Sequence, residues 1–529
     1  MSTSLRVALV LALGLSATPS LADDATLKSE IDALRAAVAE QRAQMEAQAR
    51  LLEAQQAKLD ELTKRLQASA ENVAPPAPAK IAAAPESPKL AFASGRPVIT
   101  SADGKSSLAV RAIAQMDGAM YGESNEGPLT SDFRRGSIGG GRENNAARDF
   151  SDGFLFRRAR FGVDGVFNSN WNYRLLFEFA SSGTEGPARI NDAWISYTGF
   201  APFTFQLGAF SPPSNMDDST TPDDQVFVER ASSAELSRAL AGADGRLGFG
   251  VRSGGKRWMS ALNFTTRTVN DAEVFDSQFA AVGRVGGLIA TSDDYNVHLG
   301  ANATWVFSPA DQGSAATPPR HALRFRDRPE VRVDGVRLID TGSIDAAHAS
   351  SYGLEFGANW KNLYLQGENF WFDVARRDTT LADPSFGGYY LQGSWLITGE
   401  TRRYNAATGS FQNPRPKSPF AHDGGWGAFE FAARFSHTDL NFNEGSAGLA
   451  PVAGAIRGGE QDVLALGLNW YLNPNIKFLF NYLMIDVDRL NPAGPGNAAP
   501  FGTGAATPPI GAEIGQDLDV FALRTQFSF

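Results

Sequence analysis

The chain has 529 residues, no cysteine, five histidines and a formal net charge of −10. The missing cysteines exclude a disulfide framework, a thiolate metal site and a thiol nucleophile; the few histidines leave little for a His-based one, and the acidic balance argues against nucleic acid as a partner. Past the first residues no apolar run reaches the roughly 18 residues of a transmembrane helix, so the chain is either soluble or crosses a membrane as strands.

Residues 1–22 read as a secretory signal: Arg6, then the apolar run VALVLALGL, then Ser20-Leu21-Ala22 before Asp23. Residues 23–72 carry a heptad, with Ile31, Val38, Met45, Leu52, Leu59 and Leu66 at a. Leu27, Leu34, Gln41, Gln48, Gln55 and Leu62 take d, which predicts an α-helical, left-handed coiled coil. Three successive Gln layers favour a homotrimer; a dimer or a lone amphipathic helix is the alternative. Residues 73–95 are a Pro/Ala-rich linker, extended and coreless, and 96–529 form the main domain.

That domain alternates with period two. Trp171, Tyr173, Leu175, Phe177 and Phe179 share one face of a strand; Asn172, Arg174, Leu176 and Glu178 share the other. The last residues, VFALRTQFSF, still alternate and stop on Phe529. Aromatic faces opposite charged ones, over about sixteen such segments, predict an all-β transmembrane barrel of antiparallel strands. Short turns at 168–170, 199–202 and 473–475 are expected on the periplasmic side. Longer inserts at 122–150, 211–245, 308–349, 400–424, 439–460 and 489–515 are expected to alternate with them.

The same parity assigns lumen residues. With Phe161 and Val163 toward lipid, Arg158, Arg160 and Asp164 face water, and so do Arg174, Glu178, Arg246, Arg252, Glu430, Arg434 and Arg524. Rings of arginine attract anions, but Arg–carboxylate networks also brace large barrels.

FRRARFGVDGVFNSNWNYRLLFEFA with INDAWISYTGFAPFTFQLGAF, and RFRDRPEVRVDGVRLIDTG, resemble the phosphate-selective porin O and P family of Gram-negative outer membranes. The resemblance implies a sixteen-stranded trimeric porin whose third long loop narrows the lumen. Phosphate-selective members use lumen arginines and a lysine in that loop. Here the matching loop opens SPPSNMDDSTTPDDQVFVER, with no lysine and with Asp217, Asp218, Asp223 and Asp224, a carboxylate lining that would repel phosphate. A second charged segment holds Arg320, Arg324, Arg326, Arg328, Arg332 and Arg337. It could draw anions in, bind lipopolysaccharide phosphates at the rim, or pair with the acidic loops.

The expected function is passive diffusion of small solutes or ions, possible anions such as phosphate among them, with outer-membrane lipid and lipopolysaccharide as surroundings. The alternative is a structural anchor whose periplasmic coiled coil spaces or tethers the envelope. No Ser/His/Asp grouping, metal-ligand spacing or cofactor motif is present in the sequence; His298, His348 and His437 are scattered.

Overall fold

A computed structural model describes residues 87–529, with 94, 124–149, 181–187, 314–318 and 493–509 set aside, and part of an N-terminal helix. Contacts divide the chain into Met1–Ala84 and Pro85–Phe529. In the first unit, residues 53–65 are helical (α1), and Leu59 and Leu62 are exposed. The signal segment, most of the heptad and the linker up to residue 86 lie outside the described residues.

The second unit begins earlier than its sequence suggests. β1 (Lys89–Ala93) and β2 (Arg96–Thr100) form a hairpin where the linker was expected to run on. Then come β3 (Ser107–Glu123), β4 (Gly153–Phe167), β5 (Trp171–Glu178), β6 (Arg189–Phe200), β7 (Phe203–Phe210), β8 (Arg246–Gly254), β9 (Trp258–Thr268), β10 (Phe279–Thr291) and β11 (Tyr295–Ser308). Short pieces β12 (Ala322–Leu323), β13 (Arg326–Asp327) and β14 (Ile339–Asp340) precede β15 (Ile344–Trp360), β16 (Leu363–Arg376) and β17 (Ser385–Leu396). A hairpin of β18 (Arg403–Asn405) and β19 (Ser410–Gln412) leads to β20 (Ala428–Phe442), β21 (Ile456–Tyr471), β22 (Ile476–Asp488) and β23 (Leu518–Ser528).

Sixteen of these, β3–β11, β15–β17 and β20–β23, are joined antiparallel to their neighbours, and β23 pairs back onto β3 from Leu518↔Glu123 to Ser528↔Ile113. Closure leaves no bare sheet edge, the condition for strands to cross lipid.

The partition of side chains is inverted relative to a soluble protein. Leu365, Trp371, Leu391, Phe431, Leu466 and Phe480 are exposed on the outside, while Gln366, Glu368, Gln392, Glu430 and Asn481, one parity step away, are buried inside. An apolar exterior gains by contact with lipid; the polar interior is satisfied by partners within the lumen.

Parity breaks once on β4. A bulge between Gln115 and Met116 sets Arg158 opposite Gln115 and Phe156 opposite Met116, leaving Arg157 as the extra residue. Arg157 and Arg158 therefore both point inward.

Candidate functional site

The segment between β7 and β8, residues 211–245, carries Val226, Phe227, Val228, Ala234 and Leu236, too apolar for an open loop. All five are buried inside the barrel. Two helices shape the segment, α2 (Met216–Ser219) and α3 (Ser232–Ala241). The wall holds them by charged caps. The Glu368 carboxylate accepts from the amides of Met216 and Asp217 at 2.8 and 3.0 Å. Glu330, from the β11–β15 insert, accepts from the Ser232 amide at 3.0 Å, supplying the anion that Ala231 lacks as an N-cap. Asn481 Oδ1 accepts from the Val228 amide, and Lys477 Nζ donates to the Gln225 carbonyl.

A second segment enters from the opposite end. The insert at 400–424 was expected to alternate with the short turns. Instead it follows Leu396, whose strand ends beside Leu363 and the two-residue turn before it, so it leaves at the short-turn end. Its β18–β19 hairpin rises into the lumen and meets the first segment: Ser410 Oγ donates to the Ser219 carbonyl at 3.1 Å, and the Asn413 amide to Asp224 Oδ1 at 2.8 Å. Arg284 on β10 donates to the carbonyls of Thr408 and Gly409 at 2.6 and 2.7 Å. Arg402 forks onto Glu430 at 2.7 and 2.8 Å with both side chains buried.

The predicted lumen residues fall into two groups. Arg434 and Arg524 are paired away: Arg434 with Glu330, and Arg524 with Asp117 at 2.6 Å and Glu229 at 3.0 Å. Glu229 also takes Arg157 and Arg332, which ties the lumen segment to the wall and to the β11–β15 insert. Arg246 donates to the carbonyls of Gly242 and Thr266. Arg158 donates to Gln115, and its Nε has no partner. In the second group, Arg160, Arg174 and Arg252 border an internal cavity. Arg160 is held by Glu178 and Asp244 at 2.8 and 2.7 Å.

The aspartates differ from expectation. Only Asp218 of the four borders this cavity, and Arg238 holds it at 2.6 Å. Asp217 turns into the protein, where burial pushes its carboxyl up to about 6 against the opposing pull of Arg230 and Arg434. The Asp224 carboxylate accepts from Asn413 and Thr221, and the Asp223 carbonyl from Asn413 and Gln526. The local signal was composition, which does not tell which way a side chain turns.

The Arg-rich segment is mostly structural. Arg320 grips Asp311 through two 2.7 Å bonds and holds its carboxyl down to about 2. Arg324 pairs with Asp340, and Arg332 with Glu229 and Glu235. Burial, with Arg332 and Arg337 beside it, lowers Arg328 to about 10. Arg326 is exposed and Arg337 half-buried.

The cavity, about 370 Å³, lies between the lumen segment, the β3–β9 wall and the short-turn hairpin at Ala407 and Thr408. Arg111, Arg160, Arg174, Arg230 and Arg252 border it with Asp192, Asp218 and Asp244, a surplus of two positive charges. Arg111, Arg230, Asp192 and Asp244 were missed from sequence. Parity would have found Arg111 and Asp192, but nothing local marks Arg230 as turning toward the wall. Among the described residues, one group of possible metal ligands, His437, Glu460 and Asp462, brings its ligand atoms within 4.8 Å. It lies on strand positions of the outer face, away from this cavity.

The family model described as phosphate-selective porin O and P matches residues 129–500. An uncharacterized protein of Caulobacter vibrioides is 26% identical over 517 residues, 94% of this chain and 93% of that one. Porin O of Pseudomonas aeruginosa is 22% identical over 357 residues, 64% of this chain and 78% of that one. Among solved structures, an anion-selective porin from Comamonas acidovorans superposes at a TM-score of 0.42 with 12% identity, covering 80% of this chain and 100% of that one. OmpT, an outer membrane protein of Vibrio cholerae, superposes at 0.44 with 10% identity, covering 80% and 98%.

Proposed function

The chain belongs to the phosphate-selective porin O and P family of outer-membrane channels, and from that premise we propose that it passes small anions by passive diffusion, without covalent chemistry. The observation that carries this is the cavity lining, five arginines against three aspartates, each of which already has an arginine partner: Asp218 with Arg238, Asp244 with Arg160 and Asp192 with Arg174 at 3.7 Å. Arg252 has no carboxylate partner among the described residues, and the nearest for Arg111 is Asp164 at 3.9 Å. Guanidinium groups left to water at a narrow point favour anions over cations. Trimerisation, and a periplasmic coiled coil over 23–72 acting as its clamp, belong to the same proposal and rest on the heptad.

The test is the reversal potential of purified protein in a planar bilayer under a potassium chloride gradient. A potential on the chloride side is expected. One on the potassium side overturns anion passage. Crosslinking of the detergent-extracted protein tests the trimer, and monomers alone would remove it.

A further inference from the structure

The same cavity carries more than charge. Strand parity turns Trp194 inward on β6, beside Arg174, whose guanidinium carbon lies 5.2 Å from the indole centroid. Phe210, Met259, Pro213 and Pro222 add further apolar surface to the lining. A passage built only for hydrated inorganic ions gains nothing from an inward indole, because a small hydrophilic anion keeps its water better against polar walls. The volume, about 370 Å³, falls at the low end of the ~300–1,000 Å³ typical of small-molecule pockets. Here an apolar patch around Trp194, Phe210 and Met259 is set into an otherwise polar lining.

Resting on the anion reading above, we propose that this cavity is a binding subsite for small aromatic carboxylates. The ring lies along Trp194 on the Arg174 platform and the carboxylate reaches Arg252 or Arg111. A guanidinium already over an indole offers a flat, charged surface to a second ring. Arg252 supplies the ion pair because no carboxylate of the described residues occupies it. Arg160 is not available in this way, since the Glu178 and Asp244 carboxylates already neutralise it. Inorganic phosphate would meet the arginines but leave the apolar surface in contact with water.

The experiment uses the full chain in a planar bilayer, reading chloride current while benzoate, acetate or phosphate is titrated. Benzoate is expected to half-block at a concentration at least tenfold below acetate, which has the carboxylate without the ring, and below phosphate. That comparison needs no variant. Trp194→Ala should then raise the benzoate half-blocking concentration about three- to tenfold, the worth of one aromatic contact, and leave the acetate half-blocking concentration within about twofold. Arg252→Gln should weaken block by all three anions. Equal block by benzoate and acetate, or stronger block by phosphate, overturns the subsite. The two proposals fail separately: a potassium-side reversal potential with benzoate block intact overturns anion passage and upholds the subsite. A chloride-side potential without preferential benzoate block does the reverse.

Discussion

Replacing Arg402 by methionine should release the short-turn hairpin from the lumen. The Arg402 guanidinium makes four bonds in the protein: two to Glu430, one to the Tyr471 hydroxyl at 2.9 Å and one to the Asp224 carbonyl at 3.2 Å. Arg402 is 2% exposed and Glu430 0%. Removing one partner of a buried pair costs about 3–5 kcal/mol, because the other charge stays behind unpaired. Ser394, Tyr471 and Asn469 still donate to Glu430, which places the cost at the lower end. The penalty applies only while the hairpin is seated. At about 1.4 kcal/mol per decade, it therefore shifts the balance between seated and released hairpin by roughly a hundredfold. Single-channel recording should show higher mean conductance and added open-channel noise, and protease should cut near residues 406–409 faster in detergent. The double variant Arg402→Met with Glu430→Gln removes the stranded charge and should recover most of the native behaviour. If the single variant conducts and resists protease like the native protein, the pair does not seat the hairpin.

Arg230→Gln halves the positive surplus of the cavity lining. One unit charge about 4 Å from an ion in water is worth about 1 kcal/mol, so the anion-to-cation permeability ratio should fall about fivefold in the reversal-potential assay, and an unchanged ratio would remove Arg230 from the passage. Asp217, with its carboxyl raised to about 6 by burial, gives a pH signature. Between the unfolded value near 4 and about 6 the folded state keeps a proton that the unfolded state has lost, so stability falls as pH rises through that window. Above it the whole cost, at most about 3 kcal/mol, is present. Asp217→Asn should raise the melting temperature of the extracted barrel at pH 8 and leave it unchanged at pH 3.5; a gain independent of pH contradicts the assignment. Leu391→Arg places a charge on the lipid face at the middle of β17 and should cost about 2–4 kcal/mol in bilayer refolding. Equal stability would mean that Leu391 does not face lipid.

Strand number was legible because each strand separates two unlike surroundings, and period two is the direct record of that. Trp171–Glu178 and Leu518–Ser528 emerge with nearly the expected bounds. Where the chain adds a residue, the record loses phase. Arg157 would face lipid by counting; the bulge opposite Gln115 and Met116 turns it inward, where Glu229 of the lumen segment accepts from it. Length told the inserts apart but not the end from which they leave. Strand parity holds that information: the insert after Leu396 follows the twelfth barrel strand, and connections after even-numbered strands lie at the short-turn end. The acidic loop was overread, since four aspartates in sequence say nothing of Arg238, Asn413 or Glu368 waiting in space. Pairing partners such as Arg402–Glu430 and Arg284–Glu355 are separated by 28 and 71 positions, beyond the reach of any local pattern.

The β1–β2 hairpin also decides where the barrel can be extended by fusion. β23 covers β3 only as far as Ile113, and Phe529 exchanges two more backbone bonds with Ala112. Beyond that point β2 takes over the same edge at Ser107–Ala109, with Arg96 donating to the Val110 carbonyl and paired with Asp164. Lys105 and Ser169, at the turn between β4 and β5, are bonded to each other there. The Arg96 end of β2 and Phe529 thus follow one another along the same edge of β3, on the side of the short turns. A reporter appended after Phe529 would emerge in the same compartment as that hairpin, and would crowd it. Display of a passenger on the opposite surface has to use an internal site in one of the long-loop connections.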